Sequence, residues 1–265
     1  MLIAQLSDLH FTASGGAADG RPDPHAALDA AIFALRRGGS RPDILLVTGD
    51  LAERGDVTDY QALAERFSRL GLPVYVVPGN HDDPAAMRGI LHTHQPAPEA
   101  SHGGYAIDTG TLILIGLDSV RPGWTDGALG KEQISWLDRT LVAAAGRAVL
   151  IFMHHPPIRS GLEAMDRCGL LVGRDAFAAV LARHRERVVA VLCGHLHRSV
   201  QGMFAGVSVR VAPAVVHQVA FDLRPGAPMV YCLEPPQFML HHWDGEDGLL
   251  SHTIYVECFP GLLST

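Results

Sequence analysis

Val74-Tyr75-Val76-Val77-Pro78-Gly79-Asn80-His81-Asp82-Asp83-Pro84 carries the local signals that decide the fold. The apolar run from Leu72 to Val77 points into the turn at Pro78-Gly79, with Pro73 to Val77 reading as the strand. Asp83 before Pro84 is a helix N-cap followed by proline at the first helical position. Between strand and helix stand Asn80, His81 and Asp82, which offer a neutral oxygen, an imidazole and a carboxylate. Polar groups gathered past the C-terminal end of a strand are where α/β proteins place their chemistry.

The chain before this stretch repeats the arrangement twice. Leu2-Ile3-Ala4-Gln5-Leu6-Ser7 reads as a buried strand ending at Asp8-Leu9-His10, where strand alternation would turn Asp8 and His10 to one side. A Gly- and Ala-rich stretch over residues 12–21 reads as a mobile loop beside the site. Asp23-Pro24 then opens a helix carrying Leu28, Ile32 and Leu35 on one face. The second unit runs Asp43-Ile44-Leu45-Leu46-Val47-Thr48 into Gly49-Asp50, and its helix is expected to start on a capping box from Thr58 to Gln61. Three strand–site–helix units in succession predict parallel strands that share one C-terminal edge.

A second series follows. Residues 105–108 and 112–117 read as a hairpin, and a helix runs from Lys131 to about Ala144. A strand over 148–153 ends at His154-His155-Pro156-Pro157. After a helix over 175–184, a strand over 188–193 ends at Gly194-His195-Leu196-His197. Strands at 200–204 and 207–212 precede Val216-His217, and the tail reads as β at 229–233, 237–243 and 250–258. No linker or low-complexity segment interrupts the chain. Residues 1–265 are therefore expected to form a single domain, with a β-rich C-terminal extension over about 222–265 as a candidate oligomerisation element. Phe238-Met239-Leu240 is the apolar stretch that suggests a homo-oligomer, dimer or higher, with a folded-back hairpin as the equal alternative.

Composition bounds the function. With 48% apolar and 18% charged residues the chain is globular rather than disordered. A formal charge of −7 argues against a nucleic-acid polymer as partner. No apolar run is long enough to span a membrane, and the N-terminus lacks a signal-peptide pattern, so a cytoplasmic location is expected. Cys168, Cys193, Cys232 and Cys258 show no CxxC spacing and read as free thiols, although Cys232 and Cys258 lie on two predicted strands that would allow pairing.

The strand ends together offer Asp8, His10, Asp50, Asn80, His81, His154, His195 and His197, with Gly49, Gly79 and Gly194 where backbone must pass close. One such Asp or His is ordinarily a cap or a satisfied polar residue; five successive strand ends of this kind are not. An oxygen and imidazole set without thiolate suits Fe, Mn, Zn or Co. The set is too large for one tetrahedral ion and suits two divalent ions sharing a carboxylate, which would leave the site net positive and fit for a phosphate anion.

Asp8-Leu9-His10, Gly49-Asp50, Gly79-Asn80-His81-Asp82, His154 and Gly194-His195-Leu196-His197, in this order, resemble the signature of the calcineurin-like metallophosphoesterases. Phe152-Met153-His154-His155-Pro156-Pro157 and Val216-His217-Gln218-Val219 narrow the resemblance to bacterial class III cyclic-nucleotide phosphodiesterases and the related glycerophosphodiesterase. The resemblance implies a four-layer αββα sandwich and hydrolysis of small phosphodiesters, cyclic nucleotides or glycerophosphodiesters, by metal-bound hydroxide. It assigns Asp8, His10 and His197 to one metal, Asn80, His154 and His195 to the other, and Asp50 to the bridge. His81 is expected to touch the phosphate or protonate the leaving oxygen, Asn80 to border the substrate as well as the metal, and His217 to complete the first site's surroundings or contact substrate. In the family's protein phosphatases a carboxylate of G-D-x-x-D-R-G stands behind that histidine; here Glu53 is the residue expected to orient His81, with Arg54 beside it. His155, next in sequence to a ligand, is expected to face away. The rival readings are a phosphomonoesterase or protein phosphatase, a nuclease, and a non-catalytic scaffold of the same fold.

Overall fold

The computed structural model describes residues 1–15, 20, 22–96 and 103–257. The first three units form β1 (Leu2–Leu6), α1 (Pro24–Arg37), β2 (Ile44–Thr48), α2 (Val57–Ser68), β3 (Val74–Val77) and α3 (Pro84–Ile90). The proline-led starts work as their chemistry dictates. Asp23 accepts from the His25 amide at 3.0 Å, and Asp83 accepts from the Ala85 and Ala86 amides at 2.8 and 3.0 Å. Helix α2 departs from expectation: Asp56 holds the N-cap position, so Thr58 falls inside the first turn and no capping box forms.

The chain continues through β4 (Tyr105–Asp108), β5 (Ile113–Gly116), β6 (Gly127–Ala128), α4 (Lys131–Ala143), β7 (Val149–Phe152), α5 (Glu163–Asp166), β8 (Leu170–Val172), α6 (Arg174–His184) and β9 (Val188–Cys193). It closes with β10 (Val200–Phe204), β11 (Val207–Val211), β12 (Gln218–Val219), β13 (Tyr231–Cys232), β14 (Gln237–Asp244) and β15 (Gly248–Tyr255). The short β6 and β8 pair with each other and had no sequence signal, because two or three residues are too few to show a period.

Two sheets carry the architecture, in the orders β15-β14-β1-β2-β3 and β10-β11-β9-β7-β5-β4. β1, β2 and β3 are mutually parallel, as are β5, β7, β9 and β11, so each sheet has one shared C-terminal edge. Between the sheets lies an apolar layer of Ile3, Leu46 and Val77 from one and Leu150, Phe152 and Leu192 from the other. Leu28, Leu35, Leu63, Phe67 and Met87 of α1–α3 cover the outside of the first sheet. Trp136, Leu137, Phe177 and Leu181 of α4 and α6 cover the second. The result is the αββα sandwich.

Gln5 of β1 ties its sheet neighbours together and reaches across to the second sheet. Gln5 donates to the Thr48 hydroxyl and to the Cys193 carbonyl, both at 2.9 Å, and its carbonyl oxygen pairs with His241 Nε2 at 2.9 Å. Burying Gln5 without these partners would cost about 1–3 kcal/mol.

In the tail, Phe238 and Met239 are buried where β14 pairs antiparallel with β1, so these two side chains serve the core. Around β13, Phe221, Leu223, Met229, Val230 and Leu233 are exposed instead. Cys168, Cys193 and Cys232 are free thiols, while Cys258 lies outside the described residues, as do residues 16–19 and 21 of the predicted loop. Among the described residues no helix is long and apolar enough to cross a membrane.

Candidate metal centre

The residues singled out at the strand ends come together, though not by strand alternation. Asp8, His10, Asp50, His195 and His197 all adopt positive φ, between 44° and 72°. They make up five of the seven non-glycine residues in that region among the described residues, and each lies just beyond a strand. A non-glycine residue held there stores strain, which surrounding structure must offset. The glycines show how tightly it does so. A Cβ on Gly79 would meet Asp50 Oδ1 at 2.2 Å, and one on Gly194 would meet Ser7 Oγ at 1.9 Å. Gly49 has φ +91° and faces His154 Nδ1 just as closely, at 2.3 Å. Only glycine lets these backbones approach.

Hydrogen bonds from behind set which nitrogen of each histidine faces inward. His10 Nδ1 bonds Glu53 Oε2 at 2.7 Å, and His197 Nδ1 donates to the His217 carbonyl at 2.8 Å. Their Nε2 atoms then meet at 3.1 Å, with Asp50 Oδ2 at 3.7 Å from the first and Asp8 Oδ1 at 3.6 Å from the second. Neutral rings so arranged turn two lone pairs toward each other, which repels unless positive charge lies between them. On the other side, His154 Nδ1 donates to the Thr48 carbonyl at 2.8 Å. Its Nε2 faces Asn80 Oδ1 and His195 Nδ1, both at 3.2 Å, and Asp50 Oδ2 at 3.5 Å. Asp50 thus touches both halves.

The electrostatics express the same demand for positive charge. Burial, with help from Asp50, pushes Asp8 up to about 6 against the pull of His154 and His10. Burial also opposes charge on Asp50, yet His154 holds it well below the usual carboxylate range. Burial opposes charge on His154, but the attraction and hydrogen bond of Asp50, with Asp8 and the Thr48 carbonyl, together carry it up to about 9. Burial drives His197 down to about 4 and His195 well below its ordinary value, leaving both neutral and fit to donate lone pairs. Asp8, His10, Asp50 and His197 place one donor atom each within 4.8 Å of one another. The donor set, carboxylate and imidazole with inward lone pairs, fits divalent cations.

Several neighbours differ from expectation or escaped it. The Glu53 carboxylate backs His10, not His81; His81 Nδ1 donates to the Glu53 main-chain carbonyl at 2.9 Å. The His81 amide donates to Asp50 Oδ1 at 2.9 Å, and its exposed ring stands edge-on to His10 with centroids 4.7 Å apart. Asp82 is buried and accepts from the Leu51, Ala52 and Gly79 amides and the Tyr60 hydroxyl at 2.8–3.1 Å, tying the Asp50 loop to the Asn80 loop. His155 does not turn away: its ring packs 4.8 Å from those of both His154 and His195, and Ser119 Oγ holds its Nδ1 at 2.8 Å. Cys168 Sγ lies 3.3 Å from His195 Nε2, a contact across 27 residues of sequence that no local pattern announces. His217 is buried 4.7 Å from His197 and 5.2 Å from His10, ring to ring.

Beside His10 and His217 opens a cavity of about 370 Å³, lined further by Thr12, Ser14, Arg54, Thr58 and Asp59. The family model for calcineurin-like phosphoesterases matches residues 1–199, which takes in every strand end just described. The chain belongs to this family. It is 35% identical over 261 residues to a probable glycerophosphodiester phosphodiesterase GpdQ of Arcobacter nitrofigilis, covering 98% of this chain and 95% of that one. A cAMP/cGMP dual specificity phosphodiesterase of Mycobacterium tuberculosis is 33% identical, over 82% of this chain and 68% of its own. Among solved structures, a dimetal phosphatase from Danio rerio shares the fold at TM-score 0.64 and 15% identity, covering 97% of this chain and 99% of the other.

Proposed function

We propose that this member of the family is a two-metal phosphodiesterase acting on small diesters, with glycerophosphodiesters as the preferred class. The observation that carries this reading is the ring of inward-facing ligand-type atoms shared across Asp50. Asp8, His10 and His197 would hold one divalent cation and Asn80, His154 and His195 the other, with Asp50 between. When bound, such a pair supplies the Lewis acidity that activates water and the charge that neutralises phosphoryl oxygens.

The chain's own groups do the rest. His81 Nδ1 donates to the Glu53 carbonyl, so its Nε2 is the nitrogen that, with the ring in its protonated imidazolium form, would pass a proton to the leaving oxygen and leave the ring neutral. The Asp50 carboxylate fixes the His81 backbone and with it the height of that ring. Asn80 and His217 border the place where the diester would lie, and His217 is steadied by the Tyr231 ring at 4.5 Å. The adjoining cavity supports the glycerol preference. Its lining is rich in hydroxyls and carboxylates, from Thr12, Ser14, Thr58, Asp56 and Asp59, which suit the hydroxyl groups of a glycerol.

Turnover of the Mn²⁺-loaded protein on glycerophosphoethanolamine, 3′,5′-cyclic AMP, 2′,3′-cyclic AMP and a matched monoester tests the reading. The glycerophosphodiester is expected to give the highest kcat/KM. A preference for 3′,5′-cyclic AMP would favour the cyclic-nucleotide alternative, which the mycobacterial relative's name supports. Cleavage of the monoester alone would overturn the diester reading altogether.

A further inference from the structure

Glu53 is bonded to two functional histidines through two different parts of itself. Its carboxylate holds His10 Nδ1 at 2.7 Å, and its main-chain carbonyl accepts from His81 Nδ1 at 2.9 Å. The residue is anchored in turn, since its amide donates to the Phe11 carbonyl at 3.0 Å and Phe11 bridges to neighbouring Ala52. We propose that Glu53 is a positioning residue for the metal centre, acting through His10 by fixing its tautomer and strengthening its Nε2 as a cation ligand. This rests on the two-metal reading of the site.

The physical argument has two steps. A carboxylate at 2.7 Å can only accept, so His10 carries its proton on Nδ1 and presents a lone pair at Nε2. A negative acceptor also leaves more electron density on the ring than a carbonyl does, so Nε2 becomes the better donor to a cation. The other ring at this position, His197, is backed only by the neutral carbonyl of His217. The side chain and main chain of Glu53 are separable by mutation. Replacing the carboxylate should touch His10 and leave the carbonyl that holds His81 in place.

The test is calorimetric titration of the cation-free protein with Mn²⁺ alone, for the wild type, Glu53→Gln and Glu53→Asp. Alongside it, a nitrogen-15 spectrum of the histidine rings reports the His10 tautomer. Glu53→Gln keeps the size of the side chain and removes its charge, so affinity for the tighter Mn²⁺ ion should fall about 10- to 100-fold. Glu53→Asp should recover part of that loss, and the wild-type His10 should show the Nδ1–H form. Wild-type affinity and an unchanged His10 signal in a folded Glu53→Gln protein would overturn the Glu53 assignment while leaving the two-metal reading intact. A wild-type protein that takes up no Mn²⁺ would overturn both.

Discussion

The two sheets contribute to the site in different ways. The loops after β1, β2 and β3 supply both carboxylates, the asparagine and His81, and they are netted together by backbone amides. Asp50 takes the His81 amide, Asp82 takes three amides and a hydroxyl, and Asp8 takes the His195 amide at 3.1 Å. The second sheet supplies only imidazoles. The rings of His154, His195 and His197 are each backed from behind by one group, the Thr48 carbonyl, the Cys168 thiol and the His217 carbonyl. One half is a network in which each acid positions other groups; the other is a set of separately held imidazoles. Damage to the first should spread, and damage to the second should stay local.

Asp50→Ala is the severest way to press that difference. Both cations should be lost, and turnover with them, because the side chain reaches both halves and fixes His81. Retention of two ions by metal analysis would show that Asp50 does not join the halves. His154→Ala should instead lose one ion of the two and keep the fold, and the count of bound Mn²⁺ checks it. His81→Ala should keep both ions and slow turnover by about 10²- to 10⁴-fold, as loss of a general acid does. Release of metal in that variant would make His81 a ligand instead.

Proton competition sharpens the picture further. In the cation-free protein Asp8 is pushed up to about 6 by burial, and His154 is carried up to about 9 by Asp50. Each cation must displace these protons, so apparent Mn²⁺ affinity should rise with pH and level off only above about 9. A flat titration series from pH 6 to 9 would contradict that sign. Smaller again is Asp82→Asn, which leaves some of four donors unmet and should cost about 2–3 kcal/mol of stability, read as a lowered Tm. Asp83→Ala removes only an N-cap, about 1 kcal/mol, and chemical denaturation should show it without effect on metal binding.

The sequence carried the fold and the membership of the site farther than it carried their geometry. Glycines and ligand-type side chains recurring at strand ends are local facts, so Asp8, Asp50, Asn80, His154 and His195 could be named from them. What escaped depends on where a flexible or strained group finally points. Glu53 has the reach to meet either His10 or His81, and only the loop's path settles which. His155 packs beside its neighbour because the chain leaves the extended form after β7, so alternation does not apply. The partners of Asp82 and Cys168 come from distant sequence, beyond the reach of any spacing rule.

β1 lies inside its sheet, with β2 on one side and β14 on the other, and Leu2 opposite His242. During synthesis β1 therefore keeps an open flank until Gln237–Asp244 of β14 has emerged. The edge that later closes the sheet is, until then, a template for any passing strand. Folding should end, rather than begin, with β1 fully paired, and refolding yield should depend on concentration more than final stability does.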